Sequence, residues 1–268
     1  MKGLKKIALA TAVAAAPFAA HADLQAMDDT AMSSVTGQAG VTIELETQVS
    51  IGQFRYTDEG SFVVNDIVLG GSGVAGGAGS NLLDDLKIDI DVLADGDAVI
   101  HVGSISGNPI DWGMTASSMA LVGGTDSTTL ISNLSGHGAL GALDIVVDTA
   151  TDTLNLDVAF NVVDMDFDVE FLGVGIRDMA IMGSQFFEEV AAGGAPSTAA
   201  GLFAVASVDV YKGAGLTGSS ATDVLRIDVS DITMDMNIGA IEIGGASIGS
   251  VAMDNLSITN TSMAVYGH

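Results

Sequence analysis

An imidazole is the side chain most often used as base or metal ligand near neutral pH. Beyond residue 22 the chain has three, His101, His137 and His268, far apart and in none of the spacings that bind a metal. A serine nucleophile would need such a base beside it, and one large class presents it as Gly-x-Ser-x-Gly. Gly71-Ser72-Gly73 and Gly103-Ser104-Ile105-Ser106-Gly107 resemble that pattern loosely, but neither sits at a strand-to-helix turn, so both read as β-turns. Gly136-His137-Gly138 would expose an imidazole at a turn, although its two glycines alone explain the local conformation. The run Gly70 to Ser80 is rich in glycine but has no Lys or Arg in or beside it to hold a phosphate. No catalytic constellation emerges, and no enzyme is expected.

Carboxylates are the remaining candidates. Asp84, Asp85, Asp89, Asp91, Asp95 and Asp97 crowd one hairpin-like region, and Asp164, Asp166, Asp168 and Glu170 line one face of a long strand. Calcium takes six to eight oxygen ligands, which turn carboxylates and nearby carbonyls can supply. Asp89, Asp91, Asp95 and Asp97 are therefore the calcium candidates. The spacing of an EF-hand and the Gly-Gly-x-Gly-x-Asp repeat are both missing, and alternate acids on a strand ordinarily form its solvated face. No other cofactor is expected.

The charge balance narrows the partners. The first 22 residues hold three of the eight basic residues, so the remainder sets five against 34 acidic groups, a formal charge of −29. Such a field excludes nucleic acid and anionic membrane surfaces, favours cations, and opposes self-association unless ions screen it. With 48% hydrophobic residues the chain is not a disordered polyanion. It has no cysteine, so burial and backbone pairing alone must stabilise it.

The elements that must carry these groups are strands. Val41, Ile43, Leu45, Val49 and Ile51 alternate with polar residues, as do Leu86, Ile88, Ile90 and Val92. Leu154, Leu156, Val158, Phe160 and Val162 continue as Met165, Phe167, Val169 and Phe171 with one change of phase, which predicts a bulge inside one long strand. A second slip separates Leu225, Ile227 and Val229 from Ile232, Met234, Met236 and Ile238. Short helices are expected at Asp28–Val35, capped by Asp28, and at Ser184–Ala192, ending at Gly193-Gly194. Gly70–Ser80 and Gly193–Ala200 read as surface loops within one domain. Ser118-Met119-Ala120-Leu121-Val122-Gly123 recurs at Met179 and Met263, which suggests one β-unit used three times. Thioethers bind copper, but methionines on an apolar strand face are core filler.

The first 22 residues carry an address. Lys2, Lys5 and Lys6 precede a short apolar run, Ile7 to Pro17, and Ala20-His21-Ala22 gives the small-x-small cleavage pattern. Residues 1–22 are read as a bacterial secretory signal cleaved between Ala22 and Asp23. Residues 23–40 then form an N-terminal segment with a short helix, and 41–268 a single β-rich domain. The stretch Leu24-Gln25-Ala26-Met27-Asp28 to Met32-Ser33-Ser34-Val35-Thr36-Gly37-Gln38-Ala39-Gly40 resembles the FilA-like pilus-system proteins of Gram-negative bacteria. The closing Met263-Ala264-Val265-Tyr266-Gly267-His268 is similar too. The resemblance implies a surface or fimbria-associated role and brings no catalytic residues. It also marks Met27, Met32, Val35 and Gly37 as an assembly segment that caps a sheet end or exchanges between subunits.

The fold expected is all-β, with long bent strands in a sandwich-like or irregular β-helical arrangement and one or two short helices. The function expected is structural or adhesive, as a component or accessory of a surface fimbria. Its partners would be other pilus-system proteins or further copies of itself, on the cell surface or in the periplasm, with an outer-membrane association. The alternatives are an outer-membrane β-barrel, which shares the alternation and export but would need more aromatics than 5%, and a soluble periplasmic binding protein.

Overall fold

The structure is a computed structural model that describes residues 40–267. The signal sequence, the Ala22–Asp23 cleavage point, the Asp28–Val35 helix and the assembly residues Met27, Met32, Val35 and Gly37 lie outside the described residues. So does His268.

Alternation of branched aliphatic and polar residues favours strands, and twelve form. They are β1 (Val41–Thr47), β2 (Val49–Thr57), β3 (Ser61–Gly70), β4 (Leu83–Val92), β5 (Ala98–Ser104), β6 (Ile110–Val122), β7 (Ser127–Asp148), β8 (Thr153–Val169), β9 (Val174–Met182), β10 (Ala204–Gly213), β11 (Val224–Ile243) and β12 (Ala246–Val265). Two helices interrupt them, α1 (Phe186–Ala191) and α2 (Ala199–Leu202). The all-β class with long strands and short helices is what the chain adopts. All twelve strands share one sheet, and every ladder is antiparallel, so the parallel pairing of a β-helix is not used.

The ladders resolve into an up-and-down meander of eight long strands. β8 flanks β7 almost throughout, so β5 and β6 must share its other side, end to end. By the same reasoning β9 and β10 share the side of β11 that β12 leaves free. β3 and β4 lie between β1–β2 and β6–β5. The long strands are thus β1–β2, β3–β4, β5–β6, β7, β8, β9–β10, β11 and β12, each paired with its neighbours in sequence.

Bulges bend these strands. His137 faces Asp164 and Gly138 faces Val162, which leaves Val163 as an extra residue. Ser207 faces Asp231 and Val208 faces Val229, which leaves Ser230 extra. Both lie where the hydrophobic pattern changes phase, because a one-residue insertion keeps Val162 and Met165 on the same face. Further bends use left-handed backbone at Asp66, Asn133 and Asp178, a conformation that Asn and Asp tolerate better than other side-chain-bearing residues.

Two of the long strands, β3–β4 and β9–β10, are broken by insertions tied down by buried polar side chains. In segment 71–82, Ser72 Oγ accepts from Gly79 N–H at 2.9 Å, and Ser72 N–H donates to Asp111 Oδ2 at 2.8 Å. The sequence places this run on the surface, yet Gly70, Gly71 and Ser72 are buried. In segment 183–203, α1 begins at Phe186, two residues later than its sequence suggests, and Gly193 in left-handed backbone follows it. Thr198 caps α2 by accepting from Gly201 N–H at 3.1 Å. Asn161 donates to Leu202 O at 3.1 Å, and Asp235 accepts from Phe187 N–H at 3.0 Å. The buried apolar residues among those described are few: Val63, Val64, Leu86, Ile110, Ala116, Val162, Ala204 and Val224.

The three Met-containing repeats occupy unlike places. Gly123 opens the turn after β6, Gly183 sits at the break between β9 and α1, and Gly267 follows β12. They are local echoes of strand composition.

Candidate assembly surface

Cross-strand partners point to the same face, so the register writes out each face of the sheet. One row runs Ile43–Ile88–Val102–Leu143–Val158–Ala206–Ile232–Ile258, apolar across all eight long strands. In the other half, Phe54–Val64–Met119–Ile131–Val169–Val174–Ile243–Ala246 does the same. The next residues give the wet face: Thr42–Asp89–His101–Asp144–Asp157–Ser207–Asp231–Thr259. Here His101 Nδ1 lies 2.5 Å from Asp144 Oδ1, while the Thr42 and Ser207 hydroxyls donate to Asp89 and Asp157.

Both rims are open. β1–β2 pairs on one side only, with β4 and β3, and β12 only with β11. The apolar row ends in solvent at both: Ile43 is 41% exposed and Ile258 38%, while the six residues between them are half-buried. Val41, Leu45, Val49 and Ile51 are exposed at one rim, and Ile248, Met253, Met263 and Val265 at the other.

The four calcium candidates are dispersed in their tasks. Asp89 accepts from Thr42 Oγ1 and pairs with Lys87 Nζ at 2.9 Å, and Asp91 is exposed on the same strand. Asp95 accepts from Asp97 N–H, and Asp97 accepts from the amide and hydroxyl of Thr149 at 2.8 Å. These last two hold turns. The carboxylates that converge, with one oxygen each within 4.8 Å of the others, are Asp164, Asp166 and Asp178. Sequence reading isolated the first two but not Asp178, which the β8–β9 pairing brings alongside. Asp166 Oδ1 accepts from Asp178 N–H at 2.8 Å, so this cluster has a structural task as well. Three carboxylate oxygens fall short of a calcium shell.

Burial, then the charges of Asp166 and Asp178, push the Asp164 carboxyl above its usual value, while His137 opposes them. Elsewhere the shifts run the other way. The Asn133 amide and then Arg177 hold Asp168 down, and the Ser106 and Ser104 hydroxyls hold Asp85 down. Tyr211 lowers Asp228, and Thr198 lowers Glu189. Depressed carboxylates stabilise the fold above their unfolded value, and that contribution is lost as pH falls through the folded values. Stability is therefore expected to hold from neutral pH to about pH 5 and to decline below about pH 4. Asp164 has the opposite sign, since its penalty is present above its folded value and relieved below it. Asp164→Asn should raise the urea midpoint at pH 7 and leave it unchanged at pH 3; an unchanged midpoint at pH 7 would refute the argument.

A groove of about 750 Å³ opens at the β2–β3 and β6–β7 turns. Tyr56, Phe62 and Leu121 line it, with Asp58, Glu59 and Asp126 at its rim. No histidine or basic residue lines it, so it offers no acid–base pair of matched function. Ser72 and Ser104, the serines of the loose Gly-x-Ser motifs, are spent on turn geometry.

Residues 1–94 match the model of a family described as one of unknown function (DUF6160), to which that third of the chain is similar. No curated protein and no solved structure matches the chain.

Proposed function

We propose that the chain is an exported, non-catalytic structural or adhesive protein, a component or accessory of a surface fimbria. The observation that carries this reading is the pair of long sheet rims that no other described residue covers, each with an exposed apolar side. The signal-like leader and the pilus-type segment Leu24–Gly40 support it. Recovered after export and free of detergent, the protein should co-purify with sheared surface appendages and label them in immunogold microscopy. Label confined to the cytoplasm would sink the reading.

One observation favours a second reading, an eight-stranded outer-membrane barrel: an even-numbered up-and-down meander is the connectivity of such barrels. Its strands are about twice the membrane-spanning length, however; β7 has 22 residues where nine to eleven span a bilayer. Solubility only in detergent would favour the barrel.

A further inference from the structure

We propose that the partner of the β12 rim is the β1–β2 rim of a second copy, added edge to edge as an antiparallel strand. The inference rests on the structural reading above and names the contact it would use. Three features of the sheet support it.

The first is polarity. Seven antiparallel steps separate the first long strand from the eighth, so β1–β2 and β12 run in opposite directions. A second copy in the same orientation, shifted by one sheet width, therefore continues the antiparallel ladder with its apolar side on the same face. The second is length: β1–β2 spans residues 41–57 and β12 spans Ala246–Val265. At about 3.4 Å per residue and a sheet about 10 Å thick, that seam covers roughly 550 Å² per partner. The total, about 1,100 Å², clears the roughly 1,000 Å² expected of a specific interface.

The third is the lack of protection. Natural edges are blunted by lysines, prolines or a covering element. In a chain with 34 acidic residues, β12 carries one charge, Asp254, the β1–β2 rim carries Glu44, Glu46 and Arg55, and neither rim holds a lysine or proline. A head-to-tail contact of this kind does not use itself up, so it extends into a filament or closes into a ring.

Two full-length double variants test it: Ile43→Lys with Ile51→Lys at one rim, and Ile248→Lys with Ile258→Lys at the other. Mass is read by light scattering and sedimentation at 0.15 M salt, with circular dichroism to verify the β-fold. Wild type should form large assemblies, and each variant alone should stay monomeric. An equimolar mixture should give a species of twice the monomer mass and nothing larger, because one sound rim remains on each partner. If either variant unfolds, Ser50→Glu and Thr259→Glu replace them with the same expectations. Variants that assemble like wild type would overturn the edge contact and leave the fimbrial reading standing. A monomeric wild type, or a mixture that stays monomeric, would also overturn the contact, since barrel closure or residues 1–39 would then cover the rims. Loss of appendage labelling, read separately, is what removes the functional reading.

Discussion

Replacing Asp235 with alanine should destabilise the fold by about 2–4 kcal/mol, because two backbone donors lose their acceptor inside the protein. Asp235 is 1% exposed, and its two oxygens serve different elements. Oδ2 accepts from Phe187 N–H at the start of α1, and Oδ1 accepts from Asn255 N–H at 2.7 Å, where β12 bulges in left-handed backbone. Removing the carboxylate also relieves the desolvation of a charge, which keeps the loss below the sum of two charged hydrogen bonds. Asp235→Asn retains one acceptor and should lose about half as much. Urea unfolding at pH 7 gives the magnitudes. Hydrogen exchange should show faster opening at Phe187 and Asn255 in both variants; unchanged exchange there would mean that the side chain acts by some other route.

Gly138→Val should be the most damaging single change in the strands, costing about 3 kcal/mol or more and leaving little folded protein. Gly138 is buried beside the β8 bulge, where a Cβ would overlap the Asn161 carbonyl and press on Val162 Cα at 3.0 Å. Both obstacles are backbone, so no rotamer change can make room. Gly141→Val, three residues along β7, is the control. A Cβ there meets Ala159 O and the Phe203 ring at ordinary contact distance, 3.4 Å. Equal melting temperatures for the two variants would refute this account of the bulge.

The sequence made two of the bends readable and hid the others for a physical reason. Val163 and Ser230 interrupt unbroken apolar alternation, so each slip shows as a change of parity. The left-handed residues differ: Asp66 sits between the adjacent apolar runs Val63-Val64 and Ile67-Val68-Leu69, Asn133 between Ser132 and Leu134-Ser135, and Asp178 between Arg177 and Met179, so none of them interrupts a clean alternation. The same distinction applies to the carboxylates. Asp164 and Asp166 are two residues apart on β8 and visibly share a face, whereas Asp178 joins them only through the β8–β9 pairing. Asp89, Asp91, Asp95 and Asp97 look equivalent as a string. They separate once a strand takes the first pair and a turn the second. The rims could not be read at all, because an edge strand and a central one carry the same pattern of side chains.

The order of the meander has a consequence for how the molecule is made. Every long strand is laid against the one synthesised just before it, and no connection crosses the sheet to a distant partner. Loop-closure entropy is small at each step, so a chain that emerges from its N-terminal end can fold one hairpin at a time. The growing edge is always the strand most recently released. β12, the last of the described strands, finds β11 already in place when it docks.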